Sequence, residues 1–304
     1  MKKLILMILL MAVILSGCSD IQTEDPTLAD SAILESYNYP VNVQQVEFVE
    51  SPLTVVSLSP AVTEILCEIG LNERIVGKSD YCNFPTEIDY VQTVGSPAKP
   101  DIEKILEIRP DVLISLSPIS YADRVELEQA GTKVVLFSTP KTYYELVDLY
   151  AGISKIFYGN MNSDDMTTEK LSELDTALFS AQSAMHGSNF VYILTNEGIA
   201  ATGDTLESDI LSVFGKNIAK GKANYEITPQ EIAEANPDLI FIASNVNAEN
   251  LPEEIRNLAA FVENRIVIVD NSFFEKPTSR LAAVVSNIAS KVSALPARES
   301  GAEE

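Results

Sequence analysis

Side chains able to do chemistry are few in this chain, and their spacing fits no familiar catalytic pattern. There is one histidine, His186, near the end of a helical run. A nucleophile–base–acid triad needs an imidazole oriented by a third group, and a zinc or manganese site normally needs more than one imidazole. His186 therefore reads as a solvent-facing or helix-capping residue. The cysteines are Cys18, Cys67 and Cys82. Cys67 sits in a helical run whose inward face is Val62, Ile65, Leu66 and Ile69, so it reads as a small, partly buried thiol. A disulfide to Cys82 stays open, because nothing in the spacing requires one. Carboxylates are abundant, but a catalytic pair among them cannot be told from surface acids by sequence. The chain contains no GxGxxG, P-loop, HExxH, CxxC or GxSxG pattern. The expectation is a protein that is not an enzyme, with no cofactor and no resident metal.

The elements that would position a site are easier to read. One unit occurs twice. Ile102–Ile108 followed by Arg109-Pro110-Asp111 and Val112-Leu113-Ile114 matches Pro229–Ala235 followed by Asn236-Pro237-Asp238 and Leu239–Ile242. Each copy reads as a short helix, a Pro-Asp break and a buried strand. Proline cannot continue the helix, and it disfavours the helical region for the residue before it. The apolar run after each aspartate is short and rich in β-branched residues, as a strand covered on both faces should be. Two such units imply two similar α/β lobes with a cleft between them, and clefts of this kind bind ligands.

Other elements follow the same grammar. Tyr39–Val43 and Val46–Val49 read as short edge strands. Val55–Ser59 reads as a core strand, and Ala61–Ile69 as a helix opened by Pro60 and closed by Gly70. Strands are expected at Ile75–Gly77 and Lys133–Phe137, with a helix at Val125–Ala130. Residues 141–186 carry no strand signal. Tyr144, Leu146, Val147, Leu149, Ile153, Ile156 and Phe157 would carry one helix. After Gly159-Asn160, Met166, Leu171, Leu174, Leu178 and Phe179 would carry a second. The second half adds a strand at Phe190–Leu194, a helix at Leu206–Phe214, strands at Leu239–Ala243 and Arg265–Val269, and a final helix marked by Leu281, Val284, Val285, Ile288 and Val292.

Composition sets the outer limits. The chain has 304 residues, 46% of them apolar, which suffices for one large or two medium domains. Its formal net charge is −23, so nucleic acid is excluded as a partner, because phosphate binding needs a basic face. Lys2 and Lys3 precede the apolar stretch Leu4–Leu15, which is shorter than the ~20 residues of a bilayer span. The stretch ends in Leu15-Ser16-Gly17-Cys18, which resembles a bacterial lipobox and implies cleavage and lipidation at Cys18. The expected division is a leader at 1–18, a tether at 19–38, a first α/β lobe at 39–160, a bridging helix at 161–187, a second lobe at 188–296 and a polar tail at 297–304.

Three segments carry a family resemblance. Val55-Val56-Ser57-Leu58-Ser59-Pro60-Ala61-Val62-Thr63-Glu64-Ile65-Leu66, Val76–Pro85 and the two Pro-Asp units resemble substrate-binding proteins of ABC importers for vitamin B12 and ferric siderophores. The likeness covers residues 39 to 296, and is strongest over 54–116. It implies a class III periplasmic binding protein: an α/β fold of two Rossmann-like lobes bridged by a long α-helix, with little domain closure. It further implies a monomer, lipid-anchored outside the cell, that captures a metal chelate such as a corrinoid, a ferric siderophore or haem. The chelate would pass to an ABC permease with its ATPase. By the same resemblance, Tyr81, Phe273 and Phe274 offer aromatic surface to the ligand, and Lys276 and Arg280 meet its peripheral anionic or carbonyl groups. Phe273 and Lys276 stand where cobalamin receptors tend to have tryptophan and arginine. Glu103 matches a carboxylate that docks on permease arginines. The second lobe has Gln230 at the matching position, with Glu231 next to it as a substitute. The alternative is a surface-anchored enzyme or chelatase on the same fold.

Overall fold

The computed structural model describes residues 38–182 and 188–296. Cys18, His186, the leader, all but the last tether residue and the polar tail lie outside the described residues.

The first lobe opens with a two-stranded antiparallel hairpin, β1 (Val41–Val43) and β2 (Val46–Phe48). Gln44 and Gln45 form its turn with φ of 50° and 65°. Positive φ at both turn residues matches the right-handed twist of a two-residue hairpin. The expected edge strands thus form a sheet of their own. Next come β3 (Val55–Ser57), α1 (Pro60–Glu68), β4 (Ile75–Lys78), the short pair β5 (Gly95–Ser96) and β6 (Lys99–Pro100), α2 (Ile102–Ile108), β7 (Val112–Ser115), α3 (Tyr121–Gln129) and β8 (Lys133–Leu136). The main sheet has the order β4-β3-β7-β8, and all its pairs are parallel.

The second lobe repeats this plan. It contains β9 (Asn189–Ile193), α5 (Leu206–Leu211), β10 (Lys216–Asn217), α6 (Pro229–Ala235), β11 (Leu239–Ala243), α7 (Glu253–Arg256), α8 (Ala259–Val262), β12 (Ile266–Val269), α9 (Ser272–Glu275) and α10 (Leu281–Ser293). Its sheet, β10-β9-β11-β12, is also parallel. Counted within each lobe, both sheets have the order 2-1-3-4. Every residue of β3, β7 and β11 is buried, as covered parallel strands require.

The Pro-Asp units behave alike down to their caps. Arg109 and Asn236 both end their helices in the left-handed region, at φ 51° and 40°. As expected, the residue before each proline leaves the right-handed helical region. It does so as a left-handed C-cap that reverses the chain, and each cap N–H bonds back into its own helix. Asp111 accepts hydrogen bonds from the N–H groups of Leu53 and Thr54, both at 2.9 Å. Asp238 accepts from the N–H of Asn189 at 2.8 Å. In both lobes the aspartate of the third strand ties down the start of the first.

The lobes are bridged by α4, which runs Tyr143–Ala181 with one non-helical residue, Gly159, at φ 72° and ψ −165°. A Cβ there would lie 2.4 Å from Asn38 Oδ1, which accepts the N–H of Met161 and so caps the second segment. Only glycine fits a left-handed residue so close to a capping side chain. The expected break is at the expected residue, where two helical segments join across a kink. The bridging element begins at Tyr143 rather than 161, and its first turn already touches the second lobe through Tyr143 N–H to Asp209 (2.7 Å). Leu146, Leu149, Ile153, Ile156, Leu171 and Leu174 face the core, whereas Tyr144 and Phe179 point to solvent. Helix α10 lies against the second segment of α4. Among the described residues no helix is long and apolar enough to cross a membrane.

Candidate functional site

In open parallel sheets, ligands sit beyond the carboxyl ends of the strands, where the strand order reverses. Both lobes present such an end, and the loops leaving β4 and β12 face each other there. The first loop is Ser79–Pro85. Ser79 and Cys82 are buried within it. Ser79 N–H bonds to Ser57 O, and Cys82 N–H to Ser79 O, both at 3.0 Å. Anchoring those two residues turns Tyr81, Asn83 and Phe84 outward, with Tyr81 61% exposed and Phe84 42%. The thiols of Cys67 and Cys82 are both free, and Thr63 Oγ1 lies 3.1 Å from Cys82 Sγ. Burial pushes the Cys67 thiol up to about 11 and raises that of Cys82 as well, so neither is poised as a nucleophile.

The second loop carries the segment from Phe273 to Arg280. The Arg280 guanidinium lies between two rings, 4.1 Å from the centre of Phe84 and 4.6 Å from that of Phe273. The three side chains form a stack that crosses from one lobe to the other. Cation–π contact of this kind contributes about 0.5–2 kcal/mol per ring, depending on solvation. Arg280 also pairs with Glu64 Oε2 of α1 at 3.0 Å, and Glu64 is only 2% exposed. Lys276 Nζ donates to Asn83 Oδ1 at 3.1 Å, a second link between the lobes. Behind the stack, Tyr150 of α4 donates to Glu68 Oε2 at 2.6 Å and accepts the Ser279 N–H at 2.7 Å.

The structure therefore brings together Phe273, Lys276 and Arg280. It adds Phe84, Asn83 and Glu64, which sequence reasoning did not assign to the site. Tyr81 stands on the same loop and makes no aromatic contact among the described residues. Phe274 does not join them. It is 6% exposed and packs on Tyr192 inside the second lobe. Successive residues of a short helix point about 100° apart, so Phe273 and Phe274 cannot both face the cleft. A hollow lined by Phe48, Leu53, Asp111 and Lys133 lies at the amino ends of the first sheet, the opposite pole from these loops. Among the described residues, no group of three or more His, Cys, Asp or Glu side chains could hold a metal ion.

The docking candidates occupy equivalent positions. Glu103 is the second residue of α2 and Gln230 the second of α6, and both are exposed. A helix that crosses between parallel strands runs antiparallel to them, so each of these N-termini lies at the carboxyl end of its sheet. Glu231 is one position further on and is engaged. It closes a capping box with Thr228 and pairs with Lys222 at 2.5 Å, which holds its carboxyl down at about 2. Gln230 Nε2 donates to Glu234 at 3.2 Å.

A family model described as periplasmic binding protein matches residues 55–269. The chain belongs to that family. It is 25% identical over 301 residues to an ABC transporter substrate-binding lipoprotein of Bacillus subtilis strain 168, covering 94% of this chain and 95% of that one. It is 21% identical over 240 residues to a vitamin B12-binding protein of Vibrio campbellii, covering 77% and 87%. Among solved structures, a siderophore-binding protein holding ferric acinetobactin superposes with a TM-score of 0.66 at 20% identity, covering 85% of this chain and all of that one. A periplasmic haem-binding protein in complex with two haems gives 0.64 at 18% identity, covering 80% and 98%. The fold is thus shared with these solved structures.

Proposed function

We propose that this protein is an extracytoplasmic solute-binding lipoprotein that captures a metal chelate between its lobes and delivers it to an ABC importer. The observation that carries this reading is the Phe84–Arg280–Phe273 stack, which joins aromatic surface from both lobes at the carboxyl ends of both sheets. A large, flat, partly apolar chelate suits such a surface, with Tyr81 adding a further ring and Lys276 and Arg280 lining the polar rim. Curated relatives named for cobalamin and vitamin B12 and structural neighbours holding haem or a ferric siderophore support a ligand of this class. The protein would act as a monomer, without catalysing a reaction.

The direct test is titration of the purified chain with corrinoids, haem and ferric siderophores, read by absorbance and native mass. One chelate should bind at one-to-one stoichiometry. Tyr81→Ala and Phe273→Ala should each cost about 1–3 kcal/mol, or roughly 5- to 150-fold in affinity. Unchanged affinity in both variants would remove these rings from the site, and steady conversion of a bound compound would favour an enzyme instead.

The anchor is assigned to Cys18 on the Leu15-Ser16-Gly17-Cys18 motif. Cys18→Ala should shift the protein from the membrane fraction to the soluble fraction, or arrest its processing. A variant that matures and fractionates like the parent would refute the anchor.

A further inference from the structure

The site contains an arginine whose charge is already matched. Arg280 Cζ lies over the rings of Phe84 and Phe273, and its Nη1 pairs with Glu64 at 3.0 Å. Glu64 belongs to α1 in the first lobe and Arg280 to the second, so the pair closes across the cleft floor. Glu64 is almost wholly buried, whereas the Arg280 side chain keeps 36% of its surface exposed. A buried carboxylate that lost its partner would remain as an uncompensated charge, so Glu64 does not readily release the guanidinium. Arg280 can still offer spare N–H groups to a ligand, but it offers them with little net charge. The other charges around the stack are Lys276, which is held by Asn83, and Glu68, which is held by Tyr150 and interacts with both Glu64 and Arg280; the two loops themselves carry the exposed carboxylates of Asp80, Asp270 and Glu275. Asp80 adjoins Tyr81, while Asp270 and Glu275 flank Phe273. With Glu64 and Glu68 counted, the two loops and the cleft floor carry two cations, Lys276 and Arg280, against five carboxylates.

Such a field penalises incoming carboxylates and tolerates amides. We propose that Glu64 is a specificity-determining residue: by neutralising Arg280 it makes the cleft favour a chelate rimmed by neutral hydrogen-bonding groups over one rimmed by carboxylates. The proposal rests on the solute-binding reading above and narrows its ligand class. Amide side chains around a flat chelate could accept the spare Arg280 N–H groups and donate to Asp270 or Glu275. A propionate or citrate-type rim would meet those same acids without a free cation to balance it.

The test compares two probes on the full-length chain, cyanocobalamin with its amide rim and haem with its two propionates. Wild type should bind cyanocobalamin about tenfold or more tightly than haem at low salt, because the discrimination is one of charge. Glu64→Gln frees the Arg280 charge, so the preference should fall by about tenfold, chiefly through tighter haem binding. The double variant Glu64→Gln/Arg280→Gln removes both charges. It should return the preference to the wild-type ratio, and it also shows whether Glu64→Gln acted merely by loosening the fold. A wild-type protein that prefers haem, or a preference unchanged in Glu64→Gln, overturns the proposal while leaving chelate capture intact. If the chain binds no chelate from either group or from a ferric siderophore panel, the solute-binding reading itself fails, and the filter with it.

Discussion

Replacing Tyr150 by phenylalanine will destabilise the protein by about 2–5 kcal/mol, and will do so more at pH 7 than at pH 4. The hydroxyl stands between three elements. It belongs to the bridging helix, donates to Glu68 of the first lobe and accepts the Ser279 N–H of the second. Tyr150 is fully buried. Phenylalanine keeps the packing but leaves a half-buried carboxylate and a backbone N–H without this partner. A lost hydrogen bond to a charged group costs more than a neutral one, and an orphaned N–H adds its own desolvation penalty. Unfolding should move down by roughly 5–15 °C for a chain of this size.

The pH dependence follows from Glu68. Burial raises its carboxyl above the ordinary value, while the Tyr150 hydroxyl and the Ser279 contact lower it. A carboxyl whose folded value is raised favours folding below its unfolded value, near pH 4, and that contribution is lost as pH rises through the folded value. Removing the hydroxyl takes away a bond that serves the charged form most, so the folded value climbs further. The penalty of Tyr150→Phe therefore grows across that window. Thermal or urea unfolding of both proteins at pH 4 and pH 7 measures it. Equal losses at both pH values would show that Glu68 is not the group served, and an unchanged midpoint would show that the lobes do not depend on this link.

What sequence reveals here depends on how local the signal is. The Pro-Asp units were legible because a short helix, a proline and a β-branched run lie within fifteen residues. The break at Gly159 was legible because glycine interrupts an apolar helical period. The left-handed Arg109 was not, since nothing in its side chain marks that conformation; the cap arises from the chain reversal that Pro110 and the Asp111 tether impose. The core of the site was legible only in part. Phe273, Lys276 and Arg280 cluster on one short segment and stand out together. Glu64 lies 216 positions from Arg280 and, on its own helix, looks like any glutamate. Phe84 was hidden in the same way, because its partner is on the other lobe. Phe274 shows the converse: adjacent aromatics look alike in sequence, and only the helix geometry decides which one is buried. Glu231 illustrates a third limit, because capping boxes and docking surfaces use the same residue types.

Reversing the charge at Glu103 should leave ligand capture intact and cut transport by at least tenfold. Glu103 is exposed on the first turn of α2, away from the Glu64–Arg280 contact on the cleft floor. Gln230 stands at the same turn of α6, so the two lobes present matching points on the face that carries the cleft. A permease that grips both lobes through arginines would find a carboxylate on the first lobe and an amide on the second. The first contact should then carry most of the charge-assisted attraction. Glu103→Arg sets like charges together, which costs several kcal/mol at a close contact and slows encounter as well. Gln230→Glu should move transport the other way. The gain will be smaller, because the new carboxylate sits four residues from Glu234 on the same helix face and repels it. Glu231→Gln should mainly weaken the α6 cap, since that carboxylate is already bound to Thr228 and Lys222. The measurement is chelate uptake into vesicles holding the permease and its ATPase, paired with chelate affinity for each variant. Loss of affinity in Glu103→Arg would place that face in the ligand site. Uptake unchanged by Glu103→Arg would show that the importer docks elsewhere.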